Sequence, residues 1–378
     1  MFRRRILLAS LLKPVNDTRM YAKLGQSLTK LGAVDMHIAG FDAPLPEPST
    51  ISFHPIFRFK RISWQRLTAQ WRFWKLLKKL KPEVVIVCTH ELLTMAWWYK
   101  KKHGGKLVYD VQENYQLNLQ TQQVYGSFLG HLLGSVIRAV ETRASKSIDH
   151  FLLAEASYAS ELPFLGNRYT VIENKFKALE PATNSFRDIP VNLKDEKPVQ
   201  LLYSGTISEL YGVLEAISFA KQFHKVVPCS TLTIIGYAPE EAFLQKVKAI
   251  IKELAFVRII GGSALVPHTQ ILEQERKSHI ALMPYRPHPS TMNCVPTKLY
   301  EYLANGLVVI AQTNPLWQGI LEDARAGISL DYKNPLSENQ IEEIVKDTYY
   351  PLGLPKNVFW EQEEKKLLSV MEGILQAY

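Results

Sequence analysis

The chain alternates short runs of apolar residues with longer segments in which apolar positions recur at helical spacing. Runs such as Glu83–Cys88 (EVVIVC), dominated by Val and Ile, are typical of strands that are buried on both faces of a parallel sheet. Segments such as Arg66–Leu80 have the spacing of an amphipathic helix. This succession predicts βαβ units, in which parallel strands are covered by helices.

The first half of the chain contains one such alternation. Its predicted strands are Ile6–Leu12, Val34–Gly40, Glu83–Cys88, Lys106–Tyr109, Phe151–Ala154 and Thr170–Ile172. Its predicted helices are Met20–Leu31, Arg66–Leu80, Leu92–Lys102, a long helical region that ends at Lys146, and a short helix at Tyr158–Leu162. Between Lys175 and Pro198 the pattern lapses into Pro, Asn, Asp and Lys, which is typical of a linker.

The alternation then restarts in the second half. The predicted strands are Gln200–Tyr203, Thr231–Ile235, Val257–Ile260, Ile280–Met283 and Leu307–Ala311. Helices are predicted from Val213, at Glu240–Glu253, at His268–Lys277, around Lys298 and near Trp317–Asp323. We therefore predict two tandem doubly wound α/β domains, at 1–175 and 199–355, joined by a linker at 176–198. Residues 356–378 contain a last helix, Val358–Gln376, which we expect to pack back on the N-terminal domain.

Length and composition agree with two globular domains. The 378 residues are too many for one hydrophobic core, and 47% of them are apolar. No run of 18 apolar residues exists, so no helix is expected to span a bilayer. The N-terminus has three arginines before an apolar run but no small-residue cleavage site, and we interpret it as a first strand rather than a signal peptide. The three cysteines have no metal or disulfide spacing, which favours the cytoplasm.

Positive charge is concentrated in the first half of the chain. Residues 1–175 hold 25 Lys and Arg against 13 Asp and Glu, a net charge of +12, although the whole chain carries only +9. Such asymmetry suggests an anionic partner, and no nucleic-acid-binding module is recognisable. We therefore expect no nucleic acid as a partner and consider an anionic membrane surface instead.

The segment 66–82 mixes aromatic and basic residues. The aromatic residues are Trp71, Phe73 and Trp74, and helical spacing predicts that Leu67, Trp71, Trp74 and Leu77 share one face, which the stem of Lys78 could join. Peripheral attachment to anionic lipid would use such aromatic and basic side chains, and Arg3–Arg5 and Lys100–Lys102 add to the charge. The alternative is an ordinary domain helix with core aromatic residues and a solvated basic face.

Polar residues follow three of the strands predicted in the first half. Asn16 and Asp17 come after the first strand, where they would cap a helix or face a phosphate or an acceptor. His90 follows Glu83–Cys88 and could contact a sugar hydroxyl or orient a reacting group. Gln112 and Glu113 follow Lys106–Tyr109, and a solvated helix cap is the alternative interpretation of Glu113.

Two loops of the second half are candidates for nucleotide binding. The loop that carries Gly205, Thr206 and Tyr211 leads from a strand into a helix, where an anion would be favoured. It is not GxGxxG, which argues against a dinucleotide-binding dehydrogenase. Lys298 and Glu301 lie at the next predicted helix start, where the carboxylate could accept ribose hydroxyls and the lysine could neutralise a diphosphate. We prefer this nucleotide clamp to a surface salt bridge.

Several of these segments resemble one enzyme family. "PTKLYEYLANGLVVIA" is similar to the donor-site signature of family 4 of the retaining glycosyltransferases, and "LLYSGTISELYGVLEAI", "LTIIGYAPE", "VYDVQENY" and "VIENKF" resemble its other landmarks. The resemblance covers nearly the whole chain. It implies the GT-B fold, in which two Rossmann-like domains face a cleft, and transfer of a sugar with retention from a UDP- or GDP-sugar. It implies no cofactor and no metal.

The resemblance also assigns roles to residues. It implies that Glu301 holds the donor ribose, that Thr297 and Lys298 lie near the diphosphate, and that Gly205 and Thr206 face it. Asn16 and Asp17 match the family's first-domain loop. This chain departs from the family where Thr206 and Tyr211 replace basic residues, Asn293 replaces the first of two glutamates, and Gln112 replaces a histidine. Lys298 or Arg286 could compensate for the missing cations.

We therefore expect a cytoplasmic hexosyltransferase, peripheral at the inner face of the membrane, that extends a glycan or lipid-linked acceptor in polysaccharide synthesis. The donor-binding residues would be Gly205, Thr206, Tyr211, Arg286, Asn293, Thr297, Lys298 and Glu301, and the catalytic candidates His90, Gln112 and Glu113. Two alternatives stay open. One is a non-catalytic relative that serves as a binding or scaffold subunit, and the other is a nucleotide-sugar epimerase of the same architecture.

Overall fold

The chain folds into two compact α/β units. The structure is a computed structural model that describes residues 3–59, 63–121, 126–178 and 189–376. The first unit comprises Met1–Leu179 together with Trp360–Tyr378, and the second comprises Glu180–Phe359. Each unit is built around one parallel sheet, so the predicted α/β class with two doubly wound domains is confirmed.

The first unit has a seven-stranded sheet in the order β3-β2-β1-β4-β5-β6-β7. All its pairings are parallel. The strands are β1 (Arg4–Pro14), β2 (Val34–Phe41), β3 (Ser52–Phe57), β4 (Val84–Val87), β5 (Lys106–Val111), β6 (His150–Leu153) and β7 (Tyr169–Val171). The helices are a π-helix (Thr18–Gly25), α1 (Gln26–Leu28), a 3₁₀ turn (Thr29–Leu31), α2 (Gln65–Leu80), α3 (His90–His103), α4 (Tyr115–Thr121), α5 (Ser127–Ser145) and α6 (Tyr158–Glu161).

The second unit has a six-stranded parallel sheet in the order β11-β10-β9-β12-β13-β14, and a separate antiparallel pair, β15-β8. The strands are β8 (Val191–Asn192), β9 (Gln200–Ser204), β10 (Thr231–Tyr237), β11 (Val257–Gly262), β12 (Ile280–Met283), β13 (Val308–Gln312), β14 (Gly327–Leu330) and β15 (Thr348–Tyr349). The helices are α7 (Val213–Val226), α8 (Glu241–Ile251), α9 (His268–Lys277), α10 (Pro289–Met292), α11 (Thr297–Ala304), α12 (Pro315–Ala324) and α13 (Glu338–Lys346), with 3₁₀ turns at Leu193–Asp195 and Lys356–Val358.

The last helix, α14 (Trp360–Gln376), completes the first unit. Trp360, Leu367 and Met371 are buried in one cluster with apolar residues of the first sheet and of the π-helix. Its carboxylate Glu363 is fully buried, accepts a hydrogen bond from the backbone N–H of Glu173 at 3.0 Å, and pairs with Lys175 at 2.8 Å. The C-terminal segment is therefore part of the core of this unit.

Several elements differ from those that the sequence predicts. The edge strands β3 and β14 were not predicted, and the predicted helix Met20–Leu31 is a π-helix followed by α1 and a 3₁₀ turn. The long helical region that ends near Lys146 consists of α4 and α5, and residues 122–125 between them lie outside the described residues. Residues 179–188 of the predicted linker also lie outside them, whereas its last part contains β8 and a 3₁₀ turn.

The prediction for the faces of α2 is wrong. Trp71 is 62% exposed and Trp74 is half-buried, while the buried positions are Ala69, Phe73, Leu76 and Leu77. The side chain of Leu67 lies outside the described part of the chain. Phe73 lies on the buried face of α2, and Trp71, on the opposite side of the helix, is left in solvent.

No helix in the described ranges is both long and apolar enough to cross a bilayer.

A buried ion pair links the start of the first unit to the middle of its sheet. The guanidinium of Arg19 donates to both carboxylate oxygens of Asp110, at 2.6 to 3.2 Å, and to the carbonyl of Ile172 at 2.9 Å. Arg19 is 3% exposed and Asp110 is not exposed at all. Burial alone would lower the pKa of Arg19, but the Asp110 carboxylate raises it above its ordinary value, so the guanidinium stays ionised. Arg19 thereby joins the π-helix, β5 and the end of β7.

Replacing Arg19 by methionine should destabilise the first unit strongly. The Asp110 carboxylate would lose its cation in a buried site, and loss of one partner of a buried pair costs about 3–5 kcal/mol. Urea unfolding followed by tryptophan fluorescence measures this, because six of the seven tryptophans lie in the first unit. As a control in the same unit, Arg58→Met removes an exposed pair with Asp42 and should cost at most about 1 kcal/mol. An equally small loss for Arg19→Met would contradict the expectation.

Candidate functional site

The sequence candidates of the second unit surround the point where its strand order reverses, between β9 and β12. Loops and helix starts meet at the carboxyl ends of strands there, and ligands of doubly wound sheets bind at such a switch point. Gly205 directly follows β9 and has a φ of +113°. A Cβ atom at this position would lie only 1.5 Å from Nζ of Lys298. The positive φ therefore favours glycine, and the absence of a side chain lets the Lys298 ammonium occupy this space.

Lys298 lies in the first turn of α11 and reaches back to the end of β9. Its Nζ donates a hydrogen bond to the carbonyl oxygen of Ser204 and lies 5.9 Å from the ring centre of Tyr285. The ring of Tyr211 packs edge-on against Tyr285 at 4.9 Å. Burial lowers the pKa of the Lys298 ammonium to about 8, although the Glu301 carboxylate acts in the opposite direction. Among the described residues, this ammonium contacts a carbonyl and a ring and forms no salt bridge with a carboxylate.

Glu301 lies one turn further along α11 and is 8% exposed. Its Oε1 is 2.9 Å from Nε2 of His268, the first residue of α9. Within the described ranges Lys298 and Glu301 form no ion pair with each other, so the surface salt bridge weighed as the alternative is not formed. Both side chains are instead held by neighbouring elements.

A second carboxylate lies close to this pair. Glu275 of α9 is fully buried, and its Oε2 accepts a hydrogen bond from Nδ2 of Asn305 at 3.0 Å. Burial and the Glu301 carboxylate both raise the pKa of Glu275 well above its ordinary value. Ionisation of Glu275 is therefore disfavoured beside Glu301.

The remaining donor-site candidates are less directly connected to this cluster. Arg286 donates to Glu215 through Nε and to Glu209 through Nη1, both at 2.7 Å, so its charge is already matched by two carboxylates. Asn293 ends α10 and is exposed. The carbonyl of Thr206 accepts from the hydroxyl of Tyr203 at 2.7 Å, and Thr297 is the half-buried first residue of α11.

In the first unit, the two residues after β1 make local contacts. Asp17 caps the π-helix by accepting from the backbone N–H groups of Arg19 and Met20, both at 3.0 Å. Nδ2 of Asn16 donates to the carbonyl of Pro44 at 3.1 Å. Helix capping, one of the two interpretations of Asp17 from sequence, therefore describes its contacts.

Gln112 extends the buried ion pair of the first unit. Its Nε2 donates to Oδ2 of Asp110 at 2.7 Å, and its carbonyl accepts from the hydroxyl of Tyr158 at 3.3 Å. The amide thus supports a carboxylate that already binds Arg19. A substrate in direct contact with Gln112 would have to bind the side-chain oxygen or the second amide hydrogen.

His90 begins α3 at the carboxyl end of β4, and its ring lies edge-on to Tyr115 at 4.4 Å. Its Nδ1 is 3.5 Å from Oε2 of Glu91, which pairs with Arg66. Burial lowers the pKa of His90, and Glu91 offsets part of the decrease, so the ring is neutral at pH 7. Glu113 is half-buried and accepts from Nδ2 of Asn118 at 3.3 Å.

Four residues that the sequence did not identify support these candidates: Arg19, Asp110, His268 and Glu275. Asp110 and His268 were detectable in principle, because each lies at the carboxyl end of a predicted strand or at the helix start that follows one. Arg19 and Glu275 give no local signal, since their partners are distant in sequence. The part of the chain that the structure describes contains no group of three or more His, Cys, Asp and Glu side chains placed to hold a metal ion.

The architecture is similar to that of solved glycosyltransferases. Sucrose-phosphate synthase from Thermosynechococcus elongatus has a TM-score of 0.68 at 15% identity, with both chains covered completely. A glycosyltransferase from Rickettsia africae gives 0.66 at 14%, and the Anabaena protein HepE, solved with UDP and glucose, gives 0.65 at 11%, again with complete coverage of both chains. No protein-family model and no curated protein matches the sequence.

These similarities concern the whole length of the chain and both of its sheets. At identities of 11 to 15% they establish the fold and not the activity. The protein therefore has the two-domain GT-B architecture of glycosyltransferases.

Proposed function

We propose that the protein is a glycosyltransferase that transfers a sugar from a nucleoside-diphosphate sugar to a glycan or lipid-linked acceptor. The observation that carries this proposal is the grouping of Gly205, Lys298 and Glu301 at the switch point of the second sheet. A glycine loop and a lysine ammonium can bind a diphosphate, and a carboxylate can accept hydrogen bonds from ribose hydroxyls. The similar architecture of proteins solved with UDP or UDP-glucose supports the same donor class.

In this proposal Glu301 binds the ribose. Its Oε1 is hydrogen-bonded to His268. Oε2 accepts no hydrogen bond from the described residues and is accessible to solvent. A carboxylate oxygen with free lone pairs accepts hydrogen bonds from a pair of ribose hydroxyls. Such charge-assisted bonds contribute about 1.5–3 kcal/mol each.

The diphosphate would lie beside Gly205. The ammonium of Lys298 would bind it in place of the carbonyl oxygen of Ser204. Thr206 and Tyr211 supply no charge in the loop after β9, and Arg286 is paired with two carboxylates. Lys298 is therefore the cation on which this proposal depends. It would also stabilise the diphosphate as the sugar leaves, which lowers the barrier more than an equal contact in the ground state.

We further propose that the sugar is transferred with retention of configuration and that His90 and Glu113 contact the substrates. Retaining transfer here would rest on positioning and on stabilising the leaving diphosphate rather than on a protein nucleophile. The neutral ring of His90 would donate a hydrogen bond to a sugar hydroxyl or accept one from it, and Glu113 would contact the acceptor.

The alternative of a non-catalytic subunit is favoured by the contacts of Gln112 and Arg286. Gln112 donates to Asp110 and Arg286 donates to Glu215, so both side chains are engaged within the protein.

The first-unit surface supports an anionic membrane as the place of the acceptor. Helix α3 packs between α2 and α5, so the three form one layer on the sheet. Four aromatic side chains of this layer are exposed: Trp64 by 86%, Trp71 by 62%, Trp98 by 53% and Phe128 by 85%. Exposed lysines and arginines of α2 and α3 lie among them. Aromatic rings at headgroup level and cations near anionic lipids both favour such a surface.

Replacing Glu301 by alanine should weaken nucleotide binding by about 10- to 100-fold, the equivalent of one lost charge-assisted contact. Thermal shift and calorimetry with UDP, GDP, ADP and their glucose conjugates measure the effect, since a bound nucleotide stabilises the protein by mass action. Glu253→Ala, which removes an exposed carboxylate of the same unit, is the matched control. Unchanged affinity in Glu301→Ala would refute the ribose role. Nucleotide binding without transfer or hydrolysis for every donor would favour the non-catalytic alternative.

Affinity for the diphosphate should decrease as the pH rises above about 8, the pKa of Lys298. Below that pH the ammonium is present in the free protein, and above it binding must take up a proton. The dissociation constant should then approach a tenfold increase per pH unit. Calorimetry with UDP from pH 7 to 9.5 tests this, with Lys298→Met expected to show weak and nearly pH-independent binding. Uridine, which lacks the diphosphate, should show no such dependence in the natural protein.

Vesicles that contain anionic lipid should retain the protein in flotation experiments, and neutral vesicles should not. Trp71→Ser combined with Phe128→Ser should reduce the retained fraction severalfold, because two exposed aromatic contacts would be lost. The exposed residue Leu352 in the second unit offers a matched control, Leu352→Ser. Equal retention by neutral and anionic vesicles, or by the double variant and the control, would exclude this surface.

A further inference from the structure

The carboxylate of Glu301 is held by a histidine from a different helix. His268 begins α9 directly after Pro267, and its Nε2 lies 2.9 Å from Oε1 of Glu301. An ionised carboxylate only accepts hydrogen bonds, so Nε2 must carry the proton in this contact. The histidine ring is 32% exposed at its side chain, whereas the side chain of Glu301 is 10% exposed. The imidazole of His268 thus lies between solvent and Oε1 of Glu301.

This contact is the hydrogen bond that fixes the Glu301 side chain. Within the described ranges His268 is the hydrogen-bond partner of Oε1, and Oε2 has none. Lys298, three residues earlier on the same helix, uses its Nζ for the carbonyl of Ser204 instead. A carboxylate without the His268 contact would retain its rotamer freedom and would lose an interaction that offsets its desolvation.

The nearby carboxylate of Glu275 makes the hydrogen bond from His268 more important for holding Glu301. Glu275 lies on the same helix as His268, and its carboxylate repels that of Glu301 enough to contribute to the raised pKa of Glu275. The hydrogen bond from Nε2 of His268 to one oxygen of Glu301 counteracts this repulsion. Nδ1 of His268 is buried and has no hydrogen-bond partner in the described part of the chain, so the ring is committed to Glu301 through Nε2.

We propose that His268 is a positioning residue for nucleotide binding: its Nε2–H holds Oε1 of Glu301 and thereby presents Oε2 to the ribose hydroxyls of the donor. The inference rests on the proposed function, because it assigns a support to the carboxylate that the proposed function uses. His268 itself makes no contact with the nucleotide in this arrangement. Its effect on affinity should therefore pass entirely through Glu301.

A double-mutant cycle tests this path. Dissociation constants for UDP, GDP and ADP are measured by calorimetry for the natural protein, His268→Ala, Glu301→Ala and the double variant. His268→Ala should bind the preferred nucleotide about 10-fold more weakly, within the range of one hydrogen bond to a charged group. The double variant should bind no more weakly than Glu301→Ala alone, because nothing is left for His268 to position.

His268→Gln distinguishes positioning from a general loss of structure. A glutamine amide can still donate to Oε1 but carries no charge and no ring, so we expect affinity within about threefold of the natural protein. The 2′-deoxy and 3′-deoxy analogues of the preferred nucleotide provide a second measurement. Each analogue lacks one of the two hydroxyls that Oε2 would bind, so His268→Ala should weaken its binding less than that of the ribonucleotide.

Each other outcome overturns the inference in a recognisable way. Natural affinity in His268→Ala, together with a loss in Glu301→Ala, would refute the positioning role and leave the proposed function intact. Additive losses in the double variant would mean that His268 contacts the nucleotide directly. Equal losses in His268→Gln and His268→Ala, with equally lowered melting temperatures, would indicate a structural role only. If the natural protein binds no nucleotide, the proposed function and this inference both fail.

Discussion

The ammonium group of Lys298 occupies the volume that a side chain at position 205 would fill, and the candidate site of the second unit depends on this contact. It forms because a glycine with positive φ follows β9 and because α11 begins after β12, at the same edge of the sheet. The lysine is thereby drawn away from Glu301, which turns to His268. Two residues of opposite charge, three positions apart on one helix, consequently have separate partners, as the proposed binding of a diphosphate by one and a ribose by the other needs.

Much of the fold could be predicted from the sequence because central parallel strands are buried on both faces. β4 and β12 are continuous apolar runs, as is β13 up to Ala311, and all residues of the three strands are buried. The edge strands β3 and β14 were missed for the complementary reason. β3 is mostly exposed or half-buried and contains Pro55, while β14 is half-buried throughout, so neither has the apolar pattern of a central strand. The pattern of α2 likewise indicates a helix but does not decide which side meets the sheet.

The candidate site was predictable only as far as topology determines it. The rule that ligands gather at the carboxyl ends of parallel strands selected Gly205, Lys298, Glu301 and His90 from their sequence positions alone. Which side chains pair there depends on contacts between residues far apart in the chain, such as Arg19 with Asp110 or His268 with Glu301. Arg286 illustrates the limit: a cation in a suitable loop proves to be engaged by Glu209 and Glu215.

The docking of α14 has a consequence for how the protein is made. A ribosome produces residues 1–179 long before Trp360, Leu367 and Met371 emerge, yet these three side chains are buried in the core of the first unit. Until then, the apolar surface of β1, β2 and the π-helix that they cover stays open to water. The N-terminal half, although synthesised first, is thus the last to be completed, and a nascent chain must keep an unfinished sheet from aggregating while the entire second unit is translated.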